Sequence, residues 1–251
     1  MRLTVVGCSG SYPGPESPAS CYLLEADQGE RPWRILLDLG NGSLGALQRH
    51  VDPLSVDAVF LSHLHPDHCI DLCGFYVMRK YHPSGPRPRI PVFGPEGSAE
   101  RMARAYDLPA DPGMTHEFDF ISFDGSPISV GPFTVTPTLV AHPVAAYSLR
   151  VEAGGRSLTY SGDTAVCDSL TESARDVDLF VCEASFLDGD ANPPGIHLTG
   201  GEAAQTARDA GARRLLLTHV PPWHDAETVV ADAAAFYPEV ELAIPGGHYE
   251  V

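Results

Sequence analysis

Residues 62–68, Ser-His-Leu-His-Pro-Asp-His, constrain the fold of this chain more than any other stretch. Four ligand-type side chains, His63, His65, Asp67 and His68, fall within six positions directly after an apolar run, Asp57-Ala58-Val59-Phe60-Leu61. Imidazole nitrogens suit zinc and similar first-row ions, and a carboxylate adds an anionic oxygen. Alternate residues of an extended segment point the same way, so His63 and His65 can grip one ion. Pro66 then turns the chain and leaves Asp67 and His68 to face a second ion. A lone histidine is more often a satisfied core or surface residue; a cluster this dense at a strand end reads as a metal site.

With 251 residues, 43% of them hydrophobic and 20% charged, the chain can build a sizeable core and fits one large α/β domain, residues 1–251, better than two small ones. No apolar run approaches the ~20 residues of a membrane span. The opening Met1-Arg2-Leu3-Thr4-Val5-Val6-Gly7 reads as a strand rather than a secretory signal, which predicts a cytoplasmic protein. Six cysteines without a disulfide-framework spacing fit a reduced state. Cys69 follows the histidine cluster and could ligate, but Cys69 and Cys73 are read as small core residues beneath the site.

The formal net charge is −17, and Lys80 is the only lysine. Gripping a long nucleic acid requires a basic face, because phosphate neutralisation supplies most of that affinity. Only Arg79, Lys80, Arg87 and Arg89, with Tyr81 and His82 among them, form a local cationic stretch. It reads either as an anion-binding loop, with Arg79, Lys80 and His82 as candidate phosphate anchors, or as a solvated Pro-rich connector.

Hydrophobic periodicity predicts strands at 3–7, 20–26, 33–38 and 57–61, a helix near 43–49 and another over 69–80. Pro83, Pro86, Pro88 and Pro91 break regular structure before a strand at 90–93 and a helix at 96–106. Strands follow at 116–123, 133–140, 146–152 and 157–160. Helices at 168–175, 199–210 and 225–236 then alternate with nearly all-apolar strands at 178–183 and 213–218. Thr199 with Glu202 three residues on is a capping-box pattern. Two facing sheets covered by helices accommodate this order.

Two ions need more ligands than the cluster supplies. His142, Asp163 and His219 each follow an apolar strand, where functional side chains concentrate. Taken singly each has an ordinary structural reading; together they complete two coordination shells.

The series His63-x-His65-x-Asp67-His68, then His142, Asp163 and His219, resembles the metallo-β-lactamase-fold hydrolases over nearly the whole chain. The resemblance implies a four-layer αββα sandwich with two divalent metals, zinc first and manganese or iron as alternatives. It places His63, His65 and His142 on one metal, Asp67, His68 and His219 on the other, and Asp163 between them. Asp38 matches the early aspartate that supports such a site from behind. Glu183-Ala184-Ser185-Phe186 and His197-Leu198-Thr199 look like motifs of the tRNase Z-like phosphodiesterases, in which the histidine assists the reaction and the glutamate orients it. The candidate catalytic residues are therefore His197, Glu183 and Asp67. Independently, an unpaired carboxylate on Glu183 at the end of a buried strand would be costly, so it needs a partner.

No long Gly/basic-rich insertion is present to form a tRNA-gripping arm; residues 79–91 are the only nearby substitute. Gly7–Ser11, Leu44–His50 and Thr218–Trp223 look closest to atypical class II cyclic-nucleotide phosphodiesterases. That resemblance implies hydrolysis of a small cyclic nucleotide, 3′,5′-cyclic AMP to 5′-AMP, by a hydroxide shared between two metals, and a homodimer. Two close ions lower the pKa of a shared water from about 15.7 towards about 7. The alternatives are an RNA 3′-end endonuclease, a hydrolase of lactams, lactones or thioesters, and a non-enzymatic metal-stabilised scaffold.

Overall fold

The computed structural model describes residues 1–85 and 87–251; Pro86, one of the expected breakers, lies outside the described residues. The first sheet contains β1 (Arg2–Gly7), β2 (Cys21–Gln28), β3 (Arg31–Leu37), β4 (Ala58–Phe60), β5 (Ile90–Gly94) and β6 (Phe118–Ser122). The second contains β7 (Ile128–Val130), β8 (Phe133–Leu139), β9 (Tyr147–Ala153), β10 (Arg156–Tyr160), β11 (Leu179–Glu183), β12 (Leu215–Thr218) and β13 (Glu241–Leu242). A last strand, β14 (His248–Glu250), returns to the first sheet and pairs antiparallel with β1. Among the described residues seven α-helices, α1 (Ser43–Leu47), α2 (Pro66–Cys69), α3 (Leu72–Tyr81), α4 (Ser98–Ala105), α5 (Asp168–Ser173), α6 (Gly200–Ala210) and α7 (Ala226–Ala234), flank the sheets. Among the described residues no helix is long and apolar enough to cross a membrane.

Both sheets follow one plan. An antiparallel meander (β1–β3, then β7–β10) passes into parallel strands (β3–β6, then β10–β13). The parallel strands are apolar on both faces because each face is covered. In β4, Ala58 and Phe60 join the core between the sheets, while Val59 packs outward with Leu72, Phe75 and Tyr76 of α3. In β11, Leu179 and Val181 face inward, and Phe180 and Cys182 meet Ala203, Ala204 and Ala207 of α6. The result is the expected αββα sandwich of two mixed seven-stranded sheets.

The structure departs from the expected elements in two places. The helix expected over 69–80 is α3, which starts three residues later at Leu72, and the turn expected at Pro66 is a separate short helix, α2, with Ile70–Asp71 between the two. Asp71 is diverted there to tie down the preceding loop: its N–H donates to Leu39 O at 3.1 Å and its carboxylate accepts from Leu44 N at 2.8 Å. The short strands β7, β13 and β14 have only two or three residues each, too few to show a period.

Candidate metal centre

Parallel strands deliver their C-terminal ends to one edge of a sheet, where open α/β folds collect ligand-binding groups. Here β10, β11 and β12 deliver Asp163, Glu183 and His219, and the loop after β8 adds His142. β4 of the facing sheet delivers 62–68. Two groups of side chains result, each with donor atoms within 4.8 Å of one another: His63, His65, His142 and Asp163, and Asp67, His68, Asp163 and His219. Asp163 belongs to both.

The partners of each ring set which nitrogen faces inward. Ser62 Oγ donates to Asp38 Oδ2 at 2.8 Å and so accepts from His63 Nδ1 at 3.1 Å, leaving His63 Nε2 to face the cluster. His142 Nδ1 donates to Ile196 O at 2.9 Å, and His68 Nδ1 to Asp38 Oδ2 at 2.7 Å. His219 Nδ1 lies 2.8 Å from Ser185 Oγ. These contacts are the outer hydrogen bonds that fix the tautomer of metal-binding histidines. The inward nitrogens crowd together: His63 Nε2 is 3.0 Å from His65 Nδ1, His142 Nε2 is 3.4 Å from it, and His68 Nε2 is 3.1 Å from His219 Nε2.

One atom tests whether divalent cations fit. Asp163 Oδ1 is buried without a hydrogen bond, although His68 Nε2 and His219 Nε2 stand 3.2 and 3.5 Å away. An unsatisfied buried charged acceptor costs more than about 1–3 kcal/mol. A cation among these nitrogens and oxygens satisfies it. Without one, protons must balance the charge. Burial works against the Asp67 and Asp163 carboxylates, but His219 and His68 hold both well below the usual carboxylate range. Burial also works against charge on His68, yet Asp163 and Asp38 push it well above the ordinary imidazole value. His63 and His65 fall below that value, chiefly through burial. Two His/Asp clusters able to take divalent metals are therefore present, and their imidazole-rich donor set fits zinc.

Strain marks the same place. Asp38 and His219 are non-glycine residues with φ of 62° and 58°, a conformation that persists only where its surroundings impose it.

Glu183, His197 and His219 form a third close group. The Glu183 carboxylate is already engaged: Thr164 N donates to Oε1 at 2.7 Å, Ser185 Oγ to Oε2 at 2.8 Å, and His197 Nδ1 lies 2.9 Å from Oε1. Burial opposes a proton on His197, but Glu183 outweighs it and pushes the ring up to about 9. His197 sits edge-on to Phe186, 5.2 Å between ring centroids, and beside the His142 and His219 rings at 5.6 and 5.7 Å.

Other expected candidates lie elsewhere. Arg79 is buried, its guanidinium over the Phe75 and Phe118 rings and hydrogen-bonded to the carbonyls of Pro88 and Glu117. Lys80 Nζ contacts Tyr76 OH at 2.5 Å, and His82 Nδ1 contacts Ser84 Oγ at 2.6 Å. Arg89 pairs with Asp119 at 2.8 Å. Cys69 lies in the core cluster under α3, its thiol pushed up to about 12 by burial. The positioning roles of Ser62, Ser185, Tyr160 and the Ile196 carbonyl have no sequence signal, because each depends on a tertiary partner.

The loops that build and border this centre, 8–20, 38–48, 61–71, 140–146, 161–167, 184–199 and 219–225, contain no lysine or arginine. Every lysine and arginine of the protein lies outside them.

Comparison with known proteins agrees with this architecture. Residues 33–220 match the beta-lactamase superfamily domain. An uncharacterized protein of Mycobacterium tuberculosis is 48% identical over 240 residues, 94% of this chain and 86% of that one. The probable metallo-hydrolase YhfI of Bacillus subtilis is 30% identical over 260 residues, covering 100% of both. The crystal structure of YhfI, a metallo-beta-lactamase fold protein, superposes with a TM-score of 0.88 at 27% identity, covering 100% of this chain and 99% of that one. A ribonuclease Z of Myxococcus xanthus is 28% identical over 284 residues, 90% of this chain and 89% of its own. With the family match spanning most of its length and two metal-ligand clusters at the sheet edges, the chain belongs to the beta-lactamase superfamily, as a metal-dependent hydrolase.

Proposed function

We propose that this hydrolase is a phosphodiesterase acting on a small cyclic nucleotide, with 3′,5′-cyclic AMP to 5′-AMP as the reaction. The observation that carries the reading is the Glu183–His197 pair beside the two clusters. Breaking a phosphodiester expels an alkoxide, a poor leaving group that benefits from a proton donor by about 10²–10⁴-fold. His197 meets that need. Glu183 holds Nδ1, which leaves Nε2 to deliver a proton to the departing 3′ oxygen as the P–O bond breaks. Thr164 and Ser185 in turn fix the Glu183 carboxylate, so the ring is oriented before substrate arrives.

His63, His65 and His142 are assigned to one cation, Asp67, His68 and His219 to the other, and Asp163 to both. Two divalent cations, zinc by preference, supply an acidified water and neutralise charge on the phosphoryl oxygens. In this reading residues 1–251 form one domain that carries the whole site.

The absence of lysine and arginine from the surrounding loops supports a substrate with a single phosphate. A polynucleotide depends on phosphate neutralisation along its length. The relative named ribonuclease Z keeps RNA as the second reading. A screen of metal-replete protein on cyclic mononucleotides, dinucleotides, precursor tRNA and a lactam panel, with products resolved by chromatography, separates the readings. His65→Ala and Asp163→Ala are expected to abolish turnover and lower metal content. His197→Ala is expected to keep its metals and lose about 10²–10⁴-fold in rate. Full activity of His197→Ala on cyclic AMP would show the proton-donor assignment to be wrong.

A further inference from the structure

We propose that Tyr12 and Trp223 form a stacking platform that receives the base of the nucleotide and so sets which phosphodiester enters the metal centre. The proposal rests on the phosphodiesterase reading for the bond cleaved, and adds the part of the substrate that is recognised.

Both rings face solvent, Tyr12 being 45% and Trp223 58% exposed, and their centroids stand 5.5 Å apart at a tilt of 38°. Aromatic rings left in water forgo a large burial gain, and such residues are enriched where a partner covers them. These two come from different loops that the fold binds tightly together. His219 N donates to Cys8 O at 3.0 Å and Gly10 N to Val220 O at 3.1 Å. A Cβ on Gly10 would lie 2.1 Å from the His219 carbonyl oxygen, so only glycine permits this approach. Ser9 Oγ donates to Tyr12 O at 2.7 Å, Tyr12 N to Gly10 O at 2.7 Å, and Pro13, Pro221 and Pro222 restrict the backbone on either side. The pair is therefore ordered before anything binds, which removes an entropic penalty of association.

The platform adjoins the chemistry. Ser11 N lies 3.4 Å from His219 Nε2, the nitrogen that also faces Asp67 and Asp163, and Tyr12 is the next residue. Charge narrows the occupant further. With no lysine or arginine in 8–20 or 219–225, these two loops offer no fixed positive charge for additional phosphates. A base can stack on these rings through its uncharged face, and the phosphate attached to it then reaches the metal clusters.

The test uses metal-replete protein with Trp33→Phe, which leaves Trp223 as the only tryptophan. Adenosine 5′-monophosphate is expected to quench Trp223 emission saturably. In the same protein, Tyr12→Ala and Trp223→Ala are expected to raise KM for cyclic AMP about tenfold while kcat changes little, base–aromatic stacking being worth about 1–3 kcal/mol and 1.4 kcal/mol a factor of ten. Trp223→Tyr, which keeps a ring, is expected to recover most of the loss. Quenching by the monophosphate without cyclic AMP turnover would uphold the platform and overturn the activity. Turnover with unchanged KM in both alanine variants would overturn the platform and uphold the activity. Emission that responds to protein concentration and not to the monophosphate would also overturn it, assigning the rings to contact with a second copy of the chain.

Discussion

Three residues share the carboxylate of Asp38. Ser62 N and Ser62 Oγ donate at 2.7 and 2.8 Å, His68 Nδ1 at 2.7 Å, and Tyr160 OH at 2.8 Å. Asp38 follows β3 of the first sheet and Tyr160 ends β10 of the second, so one buried carboxylate joins the sheets and aims His68. Through Ser62 it also fixes the ring of His63. Asp38→Asn cannot accept all these bonds and loses the charge that polarises His68. It is expected to lower metal affinity about 10–100-fold with little change in secondary structure, measured by competition with a chelator. Wild-type affinity in that variant would show that the outer hydrogen bonds do not aim the ligands. The inner side chains of the centre were legible in sequence because histidines and aspartates at strand ends are chemically conspicuous. Their supports were not: Ser62, Ser185 and a backbone carbonyl at Ile196 carry no signature until the fold brings them within 3.1 Å of a ring nitrogen.

At the scale of elements, α6 begins directly after Leu198 with the capping box expected from sequence. Thr199 Oγ1 accepts from Glu202 N at 3.1 Å, and Glu202 Oε2 accepts from Thr199 N at 3.0 Å. Such a box was readable because both partners lie within one turn. Thr199→Ala is expected to lower stability by about 1 kcal/mol in urea denaturation. The break between α2 and α3 was not readable, since apolar spacing continues across it and the cause is the contact of Asp71 with a loop far off in sequence. The meander offers a pH test. Glu25 on β2 is buried, which opposes ionisation, but Arg2 and Arg34 outweigh burial and lower its pKa from 4.5. A carboxylate whose folded value is depressed stabilises the protein above the unfolded value, and that contribution is lost as pH falls through the folded one. Stability is therefore expected to decline below about pH 4.5, and Glu25→Gln to flatten that decline in denaturation curves taken between pH 6 and 3. An identical slope in both proteins would exclude Glu25 as a source of it.

At the scale of the whole molecule, the proposed ligands are divided between the sheets, with His63 to His68 after β4 of one and His142, Asp163 and His219 after strands of the other. Binding to the native state alone stabilises it by about 2.7 kcal/mol at a hundred times Kd. For a chain of this size each kcal/mol shifts Tm by about 2–4 °C. Two such sites add about 5.4 kcal/mol, so chelation of both is expected to lower Tm by roughly 10–20 °C in calorimetry. An unchanged Tm after verified metal removal would argue against two occupied clusters.

The division of ligands also orders events during synthesis. The chain emerges with His63, His65, Asp67 and His68 first, an incomplete grip that any available ion can enter and leave. His219 arrives more than a hundred and fifty positions later in sequence. The first group is complete in sequence once Asp163 has emerged, whereas the second waits for His219. On the proposed ligand assignment the second site is therefore the later to close, a clasp that shuts only once β12 has joined its sheet, and a chain stalled before His219 would lack that site.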